Sequence, residues 1–329
     1  MIALITKANA GALFATTAAG GPGELYTLDP LTGSVLQDIG PLNDSTDLNY
    51  PITGLAFNPK TGVLYGSTAN SDPVTAAKLV TIDIKTAQVT VIGSFNAGNS
   101  GTKPSTMADL SFDPVSGTLF GIGSVGGPQL YSINLTNGKA TLVGSTGLTS
   151  TSGGGLAVNA AGEFFGSPTP SRFGTYNRTN GHYVNITTPD LPIGGAYAAF
   201  SFDSNGVLYG LDLGTEVPPT TELVTIDTDT GAVTDIGPSI DSIDAIAFQP
   251  DGPPPTLTNL KVLGNGAFQF AFTGDPSAGF TVLSTTNLAL PLSNWTTEGA
   301  PTNGSPGQFQ FTSSPNTNDT RRFYRVRSP

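Results

Sequence analysis

Two aspartates stand out as residues whose type and position could do chemistry: Asp109 and Asp244. The matching positions of related segments hold Gly54, Gly155, Ala199 and Ala245, so these acids interrupt a pattern of small residues. Two carboxylates roughly 5–10 Å apart are what glycosidic bond cleavage requires, and the pair is also a candidate ligand-binding site. The remaining chemistry is sparse. The single histidine, His182 in TNGHY, falls at the start of an outermost strand, whereas a Ser-His-Asp triad places its histidine beside a buried nucleophile. With one histidine and no cysteine, zinc sites built on those ligands are excluded by count. Asp227, Asp229 and Asp235 lie close together but lack the D-x-[DN]-x-[DN]-G calcium-loop pattern, and Asp227 reads as a turn former. Longer segments at 67–77 and 211–221, carrying Asp72, Asp212 and Glu216, either shape a binding mouth or are plain loop variation.

The elements that position these residues come from an internal repeat. GLAFNPKTGVLYG (54–66), DLSFDPVSGTLFG (109–121), GLAVNAAGEFFG (155–166) and AFSFDSNGVLYG (199–210) share one pattern. A second pattern follows each: KLVTIDIKTAQVTVIG (78–93), QLYSINLTNGKATLVG (129–144), RFGTYNRTNGHYVNIT (172–187) and ELVTIDTDTGAVTDIG (222–237), with ELYTLDPLTGSVLQDIG (24–40) before them. Phe57, Phe112, Val158, Phe202 and Phe248 recur every 44 to 55 residues. Asn58, Asp113, Asn159 and Asp203 are placed to form Asx-turns, with Gly62, Gly117, Gly162 and Gly206 supplying the positive φ that follows. Four strands per unit at this period are the signature of a β-propeller blade. The reading is all-β: a five-bladed propeller over residues 1–250.

The segment IDAIAF (243–248) starts a sixth copy of the first strand and then stops. Ring closure accounts for it: Ile243, Ile246 and Phe248 would fill the inner position of the first blade. The N-terminal copy, with Ile2, Leu4, Ile5 and a degenerate Thr6, is then displaced. It either extends a sheet of its own chain, exchanges between molecules as an added strand, or is disordered.

Pro253-Pro254-Pro255 reads as a stiff linker over 251–255, and 256–329 as a small antiparallel β-sandwich of six short strands. Trp295 is expected to anchor its core with Phe270, Phe280, Phe311 and Tyr324. FTVLSTTNLALPLSNWT, GQFQFTSSP and RRFYRVRSP together resemble a C-terminal module on secreted proteins of Verrucomicrobia and related bacteria, which implies a cell-surface or extracellular setting and no reaction. The repeat resembles bacterial extracellular propellers with LYTIDPxTGxxTxIG units. Arg321, Arg322, Arg325 and Arg327 read as the solvated face of an edge strand or as an interface to an acidic surface, a neighbouring subunit included.

Composition bounds the function. Of 329 residues 11% are charged, and the net charge of −11 argues against a nucleic-acid partner, which needs a basic surface. No apolar run reaches the roughly 20 residues of a membrane span. MIALITKANAG is too short and too weakly patterned for a signal peptide, so the chain is either intracellular or has had a signal removed, and the low charge and Thr/Ser/Asn/Gly richness favour the second. The expectation is a non-catalytic extracellular structural or adhesive protein without cofactors, self-associating through terminal strands. A glycan- or surface-binding propeller and a glycan-active enzyme are the alternatives.

Overall fold

The computed structural model describes residues 2–5, 11–18, 20–69, 73–96, 107–123, 128–149, 154–170, 172–250, 256–274, 279–288, 290, 294–305, 307–315 and 321–327. Among them there is no α-helix, and none long and apolar enough to cross a membrane. The strands form seven four-stranded sheets, divided between two compact units: Ala12–Pro250, and Met1–Gly11 with Asp251–Pro329. The Pro253–Pro255 linker, Thr6 and Asp72 lie outside the described residues.

Five sheets make up Ala12–Pro250, each antiparallel and each starting from an inner strand. The first runs Ile243–Phe248, Leu13–Thr17, Glu24–Leu28, Val35–Pro41. The second runs Ile52–Phe57, Leu64–Thr68, Lys78–Ile82, Val89–Ser94, and the third Met107–Phe112, Leu119–Gly123, Gln129–Ile133, Ala140–Ser145. The fourth runs Leu156–Val158, Phe164–Gly166, Phe173–Tyr176, Tyr183–Thr187, and the fifth Ala196–Phe202, Leu208–Leu213, Thr221–Ile226, Val233–Pro238.

The inner strands pack against one another in cyclic order, and each junction between neighbouring sheets carries a hydrogen bond. Thr16 Oγ1 donates to the Ile52 carbonyl at 3.1 Å and Thr53 Oγ1 to that of Met107 at 2.8 Å. The Val158 N–H donates to Ser111 Oγ at 3.0 Å, Gly154 N–H to the Tyr197 carbonyl at 3.0 Å, and Phe248 N–H to Ser201 Oγ at 3.0 Å. The last bond joins the fifth sheet to the first. Apolar cores lie between successive sheets, such as Phe14, Leu55, Phe57 and Val80 between the first and second. Both faces of each inner strand are thereby covered, which is why these segments read as nearly continuous apolar runs.

The repeat's consensus residues have local physical causes. The expected Asx-turns form: the side-chain oxygens of Asn58, Asp113, Asn159 and Asp203 accept the N–H groups of Lys60, Val115, Ala161 and Asn205. The glycines ending the fourth strands allow close approach of the next sheet. A Cβ on Gly144 would overlap the carbonyl of Asn180, and one on Gly93 that of Asn137. The T-x-G turn of one sheet thus sits against the terminal glycine of the sheet before it.

Ile243–Phe248 fills the inner position beside Leu13–Thr17, pairing Phe248 with Leu13 and Ala245 with Thr16. Ile243, Ile246 and Phe248 are buried there. That position is therefore unavailable to the N-terminal strand. Ile2–Ile5 instead runs parallel to Phe323–Arg327, with Ile2, Leu4 and Ile5 opposite Phe323, Arg325 and Val326. The first eleven residues accordingly group with 251–329 and not with the ring, a departure from the division expected at residue 250.

The second unit has two sheets. One is ordered Ile2–Ile5, Phe323–Arg327, Thr281–Thr285, Thr296–Gly299, and the other Thr256–Val262, Phe268–Thr273, Gln308–Thr312, Thr302–Asn303. Phe268, Phe270, Phe272, Phe309 and Phe311 from the second sheet pack with Val282, Tyr324 and Val326 from the first. Two expectations need correction. Trp295 is not part of this aromatic core; it packs with Leu283 and Phe323 in a separate cluster and donates its indole N–H to the Leu290 carbonyl. The arginine-bearing strand is not an edge strand, because Ile2–Ile5 and Thr281–Thr285 pair with its two sides.

Candidate functional site

Four of the five inner strands carry a β-bulge at the same level; the short Leu156–Val158 strand pairs without one. The unpaired residues are Thr53, Ala108, Ala198 and Asp244. Counting back from the recurring Phe57, Phe112 and Phe248, Asp109 matches Gly54 and Ala245, whereas Asp244 lies one residue earlier and matches Thr53. The two aspartates are thus neighbours in level but not equivalents in the repeat. A bulge re-aims its side chain and is over-represented near functional sites.

Asp109 is fully buried. Its Oδ2 accepts N–H bonds from Leu156 and Phe200, both at 2.9 Å, and its Oδ1 accepts that of Leu110 at 2.8 Å. The carboxylate therefore joins the third, fourth and fifth sheets across the middle of the ring. Burial raises its pKa well above the ordinary carboxylate value; the Leu156, Phe200 and Leu110 N–H groups oppose that rise and the charge of Asp244 adds to it. Asp244 forms no hydrogen bond with a described residue. It lies deep among protein atoms yet keeps some accessible surface. Burial pushes its pKa up to about 7.

Sequence reasoning passed over Tyr176. It stands where the other sheets have Leu28, Ile82, Ile133 and Ile226, and that departure from an apolar pattern was the available signal. Its side chain is buried and its hydroxyl has no hydrogen-bond partner; burial first, then Tyr183 and Asp109, raise its pKa above the ordinary phenol value. A Cβ on Gly166 would overlap the Tyr176 ring and stand 2.6 Å from the Gly155 carbonyl. The ring therefore occupies a slot beside the residue that precedes Leu156.

The other candidates fall elsewhere. His182 is exposed, directly before the outermost strand of the fourth sheet. Asp227 Oδ1 accepts the N–H groups of Asp229 and Thr230, as a turn former should. Asp212 is buried at the end of its strand; Oδ2 accepts the Ile193 N–H at 3.0 Å, while Oδ1 has no partner. Glu216 meets the Thr220 hydroxyl at 3.4 Å in an exposed loop. Arg322 pairs with Glu298 at 3.0 Å; Arg321 and Arg327 are exposed, and Arg325 is partly buried with its Nε unpartnered. Among the described residues no three His, Asp or Glu side chains gather as a metal site.

The architecture is that of an all-β, propeller-like repeat protein. A profile for the family described as Repeat of unknown function (DUF6923) matches residues 13–211, more than half of the chain, and the chain belongs to that family. The match begins at Leu13, the second strand of the first sheet, and leaves out Ile2–Ile5. No curated protein matches the sequence. Among solved structures, a protein of unknown function from Bacteroides caccae is 13% identical, covering 79% of this chain and 82% of its own, with TM-score 0.40. TolB from Acinetobacter baumannii is 14% identical over 73% and 67%, also at 0.40. The periplasmic gluconolactonase PpgL of Pseudomonas aeruginosa is 13% identical over 89% and 83%, at 0.38. Superpositions this loose carry no weight for what the chain does.

Proposed function

We propose that the chain is a five-bladed β-propeller followed by a small β-sandwich of the type found on secreted bacterial proteins, acting as a non-catalytic extracellular structural or adhesive protein. The observation that carries this reading is the use made of Asp109. Its carboxylate has no accessible surface and accepts three backbone N–H groups. A carboxyl so engaged holds strands together and cannot reach a glycosidic oxygen, so the acid that best marked a catalytic pair supports a structural role instead. Low charge and a composition rich in Gly, Ser, Thr and Asn support the extracellular setting.

Self-association, if strand exchange drives it, runs through the pairing of Ile2–Ile5 with Phe323–Arg327. An N-terminal strand that can leave its own sheet can enter that of a second copy. Native mass and negative-stain imaging of the full chain and of a form lacking residues 1–8 test this. Regular oligomers or fibres that vanish on truncation support the reading; monomers in both forms refute assembly. One observation favours the alternative of a glycan- or surface-binding propeller: Asp244 keeps an accessible, unpartnered carboxyl at the ring centre. Signal from the monomer on a carbohydrate array, lost in Asp244→Asn, would move the assignment there.

A further inference from the structure

The ring centre gathers acidic oxygens without a basic group to balance them. Other buried acids have more partners: Asp113 pairs with Arg178 at 3.2 Å and accepts the Ser116 hydroxyl, and Asp203 accepts N–H groups from Asn205 and Val207, although Asp212 leaves its Oδ1 unpartnered. Asp109 has only N–H donors, and Asp244 has no partner among the described residues. Ala12–Pro250 holds 20 acidic against 7 basic residues, so its overall field does not supply the missing positive charge.

Three observations bear on this centre. Asp109 Oδ2 lies 2.9 Å from the N–H groups of Leu156 and Phe200, on the fourth and fifth inner strands. Asp244 is the bulged residue of the inner strand that packs against both Ala196–Phe202 and Ile52–Phe57, and its charge acts on Asp109. The Tyr176 hydroxyl is an independent sign of a missing partner, because it is buried and unpartnered, and its ring lies in the slot beside Gly155, whose neighbour Leu156 donates to Asp109. Buried polar groups are ordinarily hydrogen-bonded or bound to an ion or ordered water. An unpartnered carboxylate this deep in the protein, on a bulge level with that of the strand that carries Asp109, is unfavourable without a counter-charge, so a proton or a cation must balance the pair.

We propose that the centre of the ring binds one hard cation, held by the carboxylates of Asp244 and Asp109, with the Tyr176 hydroxyl completing the shell directly or through water. The donor set is entirely oxygen. Such a set suits calcium or sodium and not the metals that select thiolate or imidazole. Asp109 takes part without releasing its N–H donors, since Oδ1 accepts only the Leu110 N–H and retains lone-pair capacity. The cation would tie the first sheet, which carries Asp244, to the third, which carries Asp109, at the level where Ile243–Phe248 closes the ring. The proposal is independent of whether the chain self-assembles.

The test uses the full chain, stripped with a chelator and titrated with calcium chloride, then with sodium chloride, at constant ionic strength. Calorimetry reads stoichiometry and thermal unfolding reads stabilisation. One saturable site and a midpoint that rises with cation concentration are expected. Asp244→Thr, which installs the residue the second sheet has at this level, should weaken binding at least tenfold while keeping the β-sheet circular dichroism. Tyr176→Phe should weaken it a few-fold at the same stoichiometry, and exposed Asp229→Asn should leave it unchanged. Sodium-dependent stabilisation alone, lost in Asp244→Thr, also supports the site and assigns it to a monovalent ion. Stabilisation by neither cation, or equal stabilisation in Asp244→Thr, overturns the proposal.

Discussion

Replacing Asp109 by alanine tests whether one carboxylate ties three sheets together. In the folded chain its oxygens accept the N–H groups of Leu110, Leu156 and Phe200, at 2.8, 2.9 and 2.9 Å. Alanine leaves the Leu156 and Phe200 donors buried and without an acceptor. An orphaned buried donor costs about 1–3 kcal/mol, so two give a loss of about 2–6 kcal/mol. The lower end is the better expectation, because removing the carboxylate also removes the cost of burying it. Asparagine provides a separate reading. Its carbonyl oxygen can accept both N–H groups now bound to Oδ2, while its NH2 group faces the Leu110 N–H. Asp109→Asn should therefore lose about half as much as Asp109→Ala. Urea unfolding gives the free energies, and amide hydrogen exchange at Leu156 and Phe200 gives the location. If Asp109→Ala unfolds at the wild-type denaturant concentration with exchange at those amides unchanged, the carboxylate does not hold the ring and the reasoning fails.

Gly144→Ala should destabilise by about 2 kcal/mol or more, as overpacking does, since its Cβ would overlap the Asn180 carbonyl. Gly21→Ala, with nothing within 4 Å of its Cβ, should be close to neutral, and urea unfolding of the two variants checks both. Asp44 and Tyr50 make stability depend on pH at both extremes. The Thr46 side chain and N–H hold Asp44 down to about 2, so this stabilisation is present above the ordinary carboxylate range and fades as pH falls towards 2. Burial and the bond to Asp44 raise Tyr50 to about 12, so its contribution is intact below pH 10 and fades as pH rises towards 12. Asp44→Asn should flatten the acid limb of a stability-against-pH curve. Arg178→Ala should cost less than about 1 kcal/mol in urea, because the arginine is half exposed and Asp113 keeps its Val115 and Ser116 donors.

The sequence by itself determined the repeat, the four-strand unit and the turn chemistry, because these depend on local spacing: an Asx side chain two residues before an N–H, or a glycine where φ is positive. It also determined ring closure by Ile243–Phe248, since that segment keeps the inner-strand pattern better than residues 2–7 do. Asp109 and Asp244 were legible as breaks in a repeat of small residues. Only the tertiary structure decided what they do. Whether a carboxylate meets three N–H groups or none depends on strands 47 and 91 residues away, and the bulge that separates the levels of the two acids leaves no local mark. Tyr176 was hidden because a tyrosine in a buried strand looks like core until its hydroxyl is found without a partner. Ile2–Ile5 beside Phe323–Arg327 was equally out of reach of the sequence, for pairing across the whole chain is fixed by which strand edges remain open once the ring has closed.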